Sequence, residues 1–462
     1  MKKQTKVLAV LSTAMFMATV SPAFLPNAST AYAKSAGWTE VDGGWSYLDS
    51  YGDPVTDTWK KNGTDWYYLD SEGMLAFNMQ VDEYYVGEDG KRASYKWVSV
   101  ENEDYWSEDN APEFLYYYYG KDGRALKSIW GSIDGNWYYF DEDGVMQTGS
   151  IQVDGYNYYL GADGVRQTGW VLLEEETENP ENLESWYYFD KNGRRVENVV
   201  DKKIDGAYYT FVDGRMQTGW YKLPENVIAG ETEEATPSEA ASAEDAAAET
   251  VSVENAEPSV TGYQYYDEDG KRASGWRDIE GVENVSEDGE IFRFYFKNGA
   301  PYFASQGLEL FTIDSKKYAF NTRGEMQTGK QVVNTGDGSV ANFYFDEEGV
   351  MKTGKQTISD DETGEVQNWY FHTEGSKKGQ GYHGIKDNTL YIYGLRQEAD
   401  VDLRYAPVEL DGVRYLVNTN GAVQKATSSS KSASKPELGA GYKDFTDEND
   451  TIWTVNAQGI IQ

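Results

Sequence analysis

The sequence predicts an all-β fold, an elongated β-solenoid of stacked β-hairpin repeats of about 20 residues each with insertions. Two patterns and one compositional fact predict it. A turn of the form D/G-x-x-G recurs along the chain, and an aromatic strand such as Trp137-Tyr-Tyr-Phe140 precedes it. The 462 residues also hold 14 Trp, 37 Tyr and 17 Phe beside 47 Gly, too many large flat side chains for a single buried centre.

The first 33 residues read as an export signal. Lys2, Lys3 and Lys6 form a positive start, Val7 to Val20 is apolar, and Ala31-Tyr32-Ala33 is a small-x-small cleavage site. Cleavage after Ala33 is expected, leaving a secreted chain from Lys34. The apolar run is short for a membrane span, and no later segment reads as one, so no stable membrane insertion is expected.

The repeat array then begins. Its turns end at Gly52, Gly73, Gly90, Gly123, Gly144, Gly164 and Gly193, and the pattern returns at Gly214, Gly270, Gly299, Gly324, Gly349, Gly375 and Gly421, with a degenerate copy at Gly459. Aromatic strands, D/N-x-x-G and a short following strand (Val145-Met-Gln-Thr-Gly149) read as a hairpin hinged on the D-x-x-G turn, whose glycine supplies a positive φ. One such hairpin is marginal in water, so successive ones must stack.

Three stretches interrupt the array. Pro224 to Ser259 holds ten acids and no Lys or Arg, with many Ala, Ser and Thr, and reads as disordered. Thr427 to Gly441 is Ser/Lys-rich, and Leu173 to Ser185 is a smaller acidic insertion. The expected organisation is a signal peptide (1–33), an N-terminal array (34–222), an acidic linker (223–261), a C-terminal array (262–426), a second linker (427–441) and a degenerate terminal repeat (442–462).

Composition also excludes functions. With no Cys there is no disulfide framework, thiolate nucleophile or Cys-ligated metal, and two His leave little for imidazole chemistry. A net charge of −37 argues against nucleic acid, which needs a positive surface. Asp141-Glu-Asp-Gly144 and Asp267-Glu-Asp-Gly270 resemble calcium loops but lack the distal Glu of an EF-hand, and turn chemistry accounts for them. His372 and His383 read as surface residues. No nucleophile elbow, zinc-protease motif or phosphate loop is present, and no stretch outside the repeats is long enough for a catalytic domain. No catalytic residue, metal site or cofactor is expected, and the chain does not read as an enzyme.

The unit Gly131-Ser-Ile-Asp-Gly-Asn-Trp137-Tyr-Tyr-Phe-Asp-Glu-Asp-Gly144-Val-Met-Gln-Thr-Gly149 resembles the cell-wall-binding (choline-binding) repeat of Gram-positive surface proteins. The T-G-W ending is intact at Thr168-Gly169-Trp170 and Thr218-Gly219-Trp220. Similar repeats occur as glucan-binding modules and in clostridial toxins. The resemblance implies a hairpin solenoid that holds choline head groups of teichoic acid between aromatics of adjacent repeats. A quaternary ammonium offers no hydrogen-bond donor, and a cage of ring faces attracts it by about 0.5–2 kcal/mol per ring. Single cages are then weak, and several gain by avidity toward a polymer.

Trp pairs seven apart mark such cages: Trp38/Trp45, Trp59/Trp66 and Trp130/Trp137. Strand alternation puts each second-strand Trp and the second Tyr on one face and the first Tyr on the other. By resemblance the third walls are Tyr68, Tyr85 and Tyr159, and a looser fourth site is Trp170/Trp186 with Tyr209. Stacking core is the alternative role for each ring. In the second half Lys330 and Lys355 replace tryptophans, so that array is expected to space the molecule or to bind something else, such as a sugar polymer.

The sequence thus predicts a non-catalytic protein attached to the cell surface through choline-bearing teichoic acid or wall polysaccharide. The alternatives are a glucan or exopolysaccharide binder, and an adhesin or scaffold whose acidic inserts meet a host or envelope protein.

Overall fold

The computed structural model describes residues 36–106, 111–174, 184–228, 257–360 and 363–462. The export signal, its cleavage site and most of the acidic stretch lie outside the described residues. Among them the chain is all-β, a succession of antiparallel strand pairs with only short helical turns, such as Glu225–Ile228. No helix among the described residues is long and apolar enough to cross a membrane. The chain divides into two compact units, Met1–Val196 and Glu197–Gln462.

The structure corrects the expected hinge. The main hairpin of the repeat joins Ile129–Ile133 to Asn136–Phe140, with Trp130 opposite Tyr139. It turns on Asp134-Gly135, not on the D-x-x-G turn. Both residues have positive φ (51° and 85°), as does Asp154-Gly155 in the next repeat (51° and 77°). A two-residue loop of that kind matches the twist of the flanking strands, which is why Asp-Gly closes the longer ladder. The D-x-x-G turn has another task. Asp141 accepts hydrogen bonds from the N–H groups of Asp143 (3.0 Å) and Val145 (2.8 Å), and the chain reverses into a short tail, Val145 to Gln147. The carboxylate of that resembled calcium loop is thus engaged with its own turn. Where glycine replaces the first Asp, as at Gly161, the third residue takes over: Asp163 accepts from Val165 N–H at 3.0 Å.

Alternation along the second strand builds the core. Tyr67 and Leu69 of Asp65–Leu69 are buried, as are Tyr158 and Leu160 of Tyr156–Leu160, and Tyr187 and Phe189 of Glu184–Phe189. The first Tyr and the closing apolar residue therefore point inward, as strand periodicity requires.

The tail couples one hairpin to the one before it. The Met146 N–H donates to Tyr116 O (2.7 Å), Arg166 to Trp137 O (2.8 Å) and Arg195 to Asn157 O (2.8 Å). Each such residue also bridges its own hairpin, Met146 to Phe140 and Arg166 to Leu160. The tail is thus a short third strand shared by two repeats. In the second unit the same bond runs from Arg272 to Tyr208 O, Met326 to Arg293 O and Met351 to Lys317 O, each at 2.9 Å.

The turn glycine has a second reason to be glycine. A Cβ on Gly73 would stand 2.7 Å from Pro54 Cβ, because the tail of the preceding repeat lies across the turn. Hairpins also accommodate long insertions. Lys96–Glu101 pairs with Phe114–Tyr119 across residues 102–113, and Gly219–Lys222 pairs with Tyr263–Tyr266 across the acidic stretch. The second pair joins strands on either side of the segment expected as an inter-array linker.

Two predictions follow from this architecture. Gly155→Ala meets nothing within 4 Å and strains only a φ of 77°, whereas Gly73→Ala combines φ 76° with the clash against the rigid Pro54 ring. Gly155→Ala should cost about 1–2 kcal/mol and Gly73→Ala roughly 1–3 kcal/mol more, read by urea denaturation; equal losses would remove the packing argument. Burial pushes the Tyr119 hydroxyl up to about 12 from its ordinary 10. A raised acid contributes stability fully below pH 10 and loses it as pH climbs toward 12, because the unfolded chain ionises first. Tyr119→Phe should therefore flatten the alkaline fall in stability by on the order of 2 kcal/mol, measured by denaturation at pH 9 and pH 12.

Candidate functional site

One register recurs along the array. The Trp near the start of each first strand lies directly opposite the second Tyr of the second strand: Trp38 opposite Tyr47, Trp59 opposite Tyr68, Trp130 opposite Tyr139 and Trp170 opposite Tyr188. The second-strand Trp lies opposite a residue two places further along: Trp45 opposite Glu40, Trp66 opposite Lys61 and Trp137 opposite Ser132. Both tryptophans and the second Tyr thus share the face that the buried first Tyr does not use.

That face meets the next hairpin. Trp38 packs on Tyr47 (5.6 Å between ring centroids) and on Tyr67 of the following repeat (5.4 Å), with both rings edge-on. Trp59 lies between Tyr68 (5.2 Å) and Tyr84 (5.5 Å), and Trp130 between Tyr139 (5.2 Å) and Tyr158 (4.8 Å). In each case the ring supplied by the next hairpin is its first Tyr. Such pairs contribute about 0.5–1.5 kcal/mol beyond area burial, so the Trp clamps two repeats while its remaining surface borders the site.

The Trp/Trp pairs expected from sequence share faces as described. Of the residues expected as third walls, Tyr68 sits against Trp59 in its own hairpin, Tyr85 lies 5.9 Å from Tyr119, and Tyr159 lies 6.4 Å from Phe189. Trp170 and Trp186 meet edge-on at 6.5 Å in the first unit, whereas Tyr209 is a buried residue of the second unit.

Cations of the chain lie over many of these rings. The Arg166 guanidinium stands 5.5 Å from the Trp130 ring centre and 5.3 Å from that of Trp137. Arg92 stands 5.6 Å from Trp66 and 4.9 Å from Tyr84. Burial pulls the Arg166 guanidinium below the usual arginine range, opposed by Tyr158 and Asp190. Its Nε and the Trp38 Nε1 are buried with no hydrogen-bond partner among the described residues. A desolvated cation over a ring face is held more strongly than an exposed one.

Sequence spacing missed clusters of this kind, that of Trp97 among them. Trp97 lies opposite Tyr118 at the same register position as Trp59 and Trp130, and packs on Tyr118 (5.2 Å) and on Tyr138 of the next hairpin (5.0 Å). Tyr116, which is 43% exposed, stands where other repeats carry the second-strand Trp. The insertion at 102–113 conceals the pair from any fixed-spacing rule, although the position of Trp97 at the start of a β-prone run could have revealed it.

In the second unit Trp276 packs on Tyr295 (5.1 Å) and Tyr318 (4.8 Å), repeating the arrangement without a second-strand Trp. Arg293 occupies that position and lies 5.1 Å over Trp276. Lys330 and Lys355 take the first-strand Trp position opposite Tyr344 and Tyr370, and Lys330 Nζ lies 5.3 Å over buried Trp369. His372 is half-buried against Tyr382, and His383 stacks on Tyr393 while bonded to Asp411 at 3.1 Å.

Residues 126–164 match the family described as "Choline-binding repeat", and residues 57–73 and 181–194 match "Putative cell wall binding repeat". A stretch of 138 residues is 30% identical to Glucosyltransferase-S of Streptococcus mutans, covering 27% of this chain and 9% of that protein. Among solved structures, the modular autolysin LytC of Streptococcus pneumoniae aligns at 20% identity and a TM-score of 0.37, over 63% of this chain and 52% of that one. Choline binding protein F of the same organism, solved with a peptidoglycan analogue, aligns at 19% identity and 0.34, over 70% of this chain and all of that one. The chain thus spans about half of the LytC chain it matches and a small part of the glucosyltransferase.

Proposed function

Because the chain carries choline-binding and cell-wall-binding repeats, we propose that it is a non-catalytic, secreted cell-wall-binding protein that attaches to the bacterial surface through choline, or a similar group, on teichoic acid. The observation that carries this reading is the recurring first-strand Trp clamped between two tyrosines, with a second-strand Trp or Tyr beside it on the same face. Rings so arranged offer negative faces to a cation that cannot hydrogen-bond. The reading includes a β-solenoid in each unit, supported by the hydrogen bond that recurs from tail to preceding hairpin. A series of weak sites on such a frame gains avidity for a polymer that carries many head groups, and the net charge of −37 adds non-specific attraction for cationic groups.

A polysaccharide is the second reading. Lysines stand at the Trp positions of Lys330 and Lys355, and Trp137 is 41% exposed, which leaves ring surface on which a pyranose could stack. The partial likeness to a glucosyltransferase accords with that ligand.

The mature chain (34–462) should bind an immobilised quaternary amine and elute with free choline. Trp38→Ala and Trp45→Ala, folded by circular dichroism, should elute at severalfold lower choline, since losing one ring contact of about 0.5–2 kcal/mol weakens a site by up to some tenfold or more. Elution by salt alone would reduce the interaction to ion exchange, and retention on a glucan resin without response to choline would favour the polysaccharide.

A further inference from the structure

One position in the repeat places a side chain over the aromatic face of the repeat before it. The second residue after the turn glycine sends its N–H to the hairpin behind: Leu75 to Trp45 O, Arg92 to Trp66 O, Met146 to Tyr116 O and Arg166 to Trp137 O. That bond fixes the backbone beside the second-strand aromatic, so the side chain is delivered to the ring cluster whatever its chemistry. Leu and Met bring an apolar surface, whereas Arg brings a cation.

The two arginines sit at two of the three Trp/Trp pairs. Arg166 covers both Trp130 and Trp137, and Arg92 covers Trp66 together with Tyr84, the ring that clamps Trp59. The Arg166 Nε has no hydrogen-bond partner among the described residues, so this part of the group rests on ring faces. The third pair, Trp38/Trp45, lies beside Leu75, with Lys60 Nζ over the neighbouring Tyr47 ring (5.0 Å) but, among the described residues, no arginine over either tryptophan, and the Trp97/Tyr116 cluster lies beside Met146.

We propose that Arg92 and Arg166 are specificity-determining residues, built-in occupants that close the Trp59/Trp66 and Trp130/Trp137 cages to quaternary ammonium ions and confine such ligands to the clusters where an apolar residue holds this position. This rests on the choline reading above. A tethered cation competes at a high effective concentration, while a free ammonium entering the same cage meets a like charge. The chain thus carries more aromatic cages than open ones, and a Trp count overstates its ligand capacity.

The test is choline stoichiometry, by equilibrium dialysis on the mature chain and on Arg92→Met, Arg166→Met and the double variant. Methionine suits the position because Met146, Met216, Met326 and Met351 stand at it in other repeats. Each single variant should bind one more choline than the unaltered chain, and the double variant two more. Arg166→Lys keeps a tethered cation and should gain none. Folding is checked by circular dichroism, and quenching of tryptophan fluorescence by choline should grow in step with stoichiometry. Unchanged stoichiometry in folded variants of a choline-binding parent overturns the inference and leaves the proposed function standing. Binding by the double variant alone supports the arginine role while overturning choline as the natural ligand. Absence of binding in all of them overturns both.

Discussion

The hydrogen bond from the tail of one repeat to the second strand of the repeat before it is the constraint on which the rest depends. Two-stranded hairpins of five or six residues a side have no independent stability worth the name. Sharing a third strand lets each hairpin complete its neighbour, and the Met146 and Arg166 bonds show the device in consecutive repeats. Because the bond is between main-chain atoms it tolerates Leu, Met, Ala or Arg at the donor position. It nevertheless fixes where that side chain lies, against the turn glycine of its successor and beside the aromatic strand of its predecessor. On the proposed reading, architecture and ligand chemistry therefore meet at one residue per repeat.

From this geometry the double duty of the aromatics follows. The inward first Tyr fills the core of its own hairpin and packs its ring against the Trp of the hairpin before, as Tyr67 does to Trp38 and Tyr158 to Trp130. A first-strand Trp is thus structural on one side, and on the proposed function it borders a site on the other. Removing it loosens a joint between repeats, so the second-strand tryptophans, which carry less of the clamp, are the cleaner positions at which to test the proposed binding.

Much of this was legible in the sequence. Alternation alone placed Trp and the second Tyr on one face and the first Tyr on the other, and the structure shows that the face of the first Tyr, as at Tyr67 and Tyr158, is the buried one. The hairpins, and the scarcity of helix among the described residues, followed from the turn and aromatic patterns. What spacing could not give was the relation between hairpins. Period two says which residues share a face, not which ring of the next repeat will lie against it. For the same reason the hinge was misplaced. Asp-Gly and D-x-x-G both reverse the chain, and only the ladder shows that Asp134-Gly135 closes the longer one. Trp97 stayed hidden because an insertion of variable length separates it from Tyr116. The place of Arg166 was invisible, since nothing in Val-Arg-Gln says that its side chain turns back over two tryptophans of the preceding hairpin.

The most direct measurement is a crystal structure of the protein grown with saturating choline. The account predicts a trimethylammonium group against the rings of Trp38 and Trp45, beside Leu75, and the Arg166 guanidinium still seated over Trp130 and Trp137 with no ligand there. A choline found between Trp130 and Trp137 with Arg166 swung away, and none at Trp38/Trp45, would contradict it.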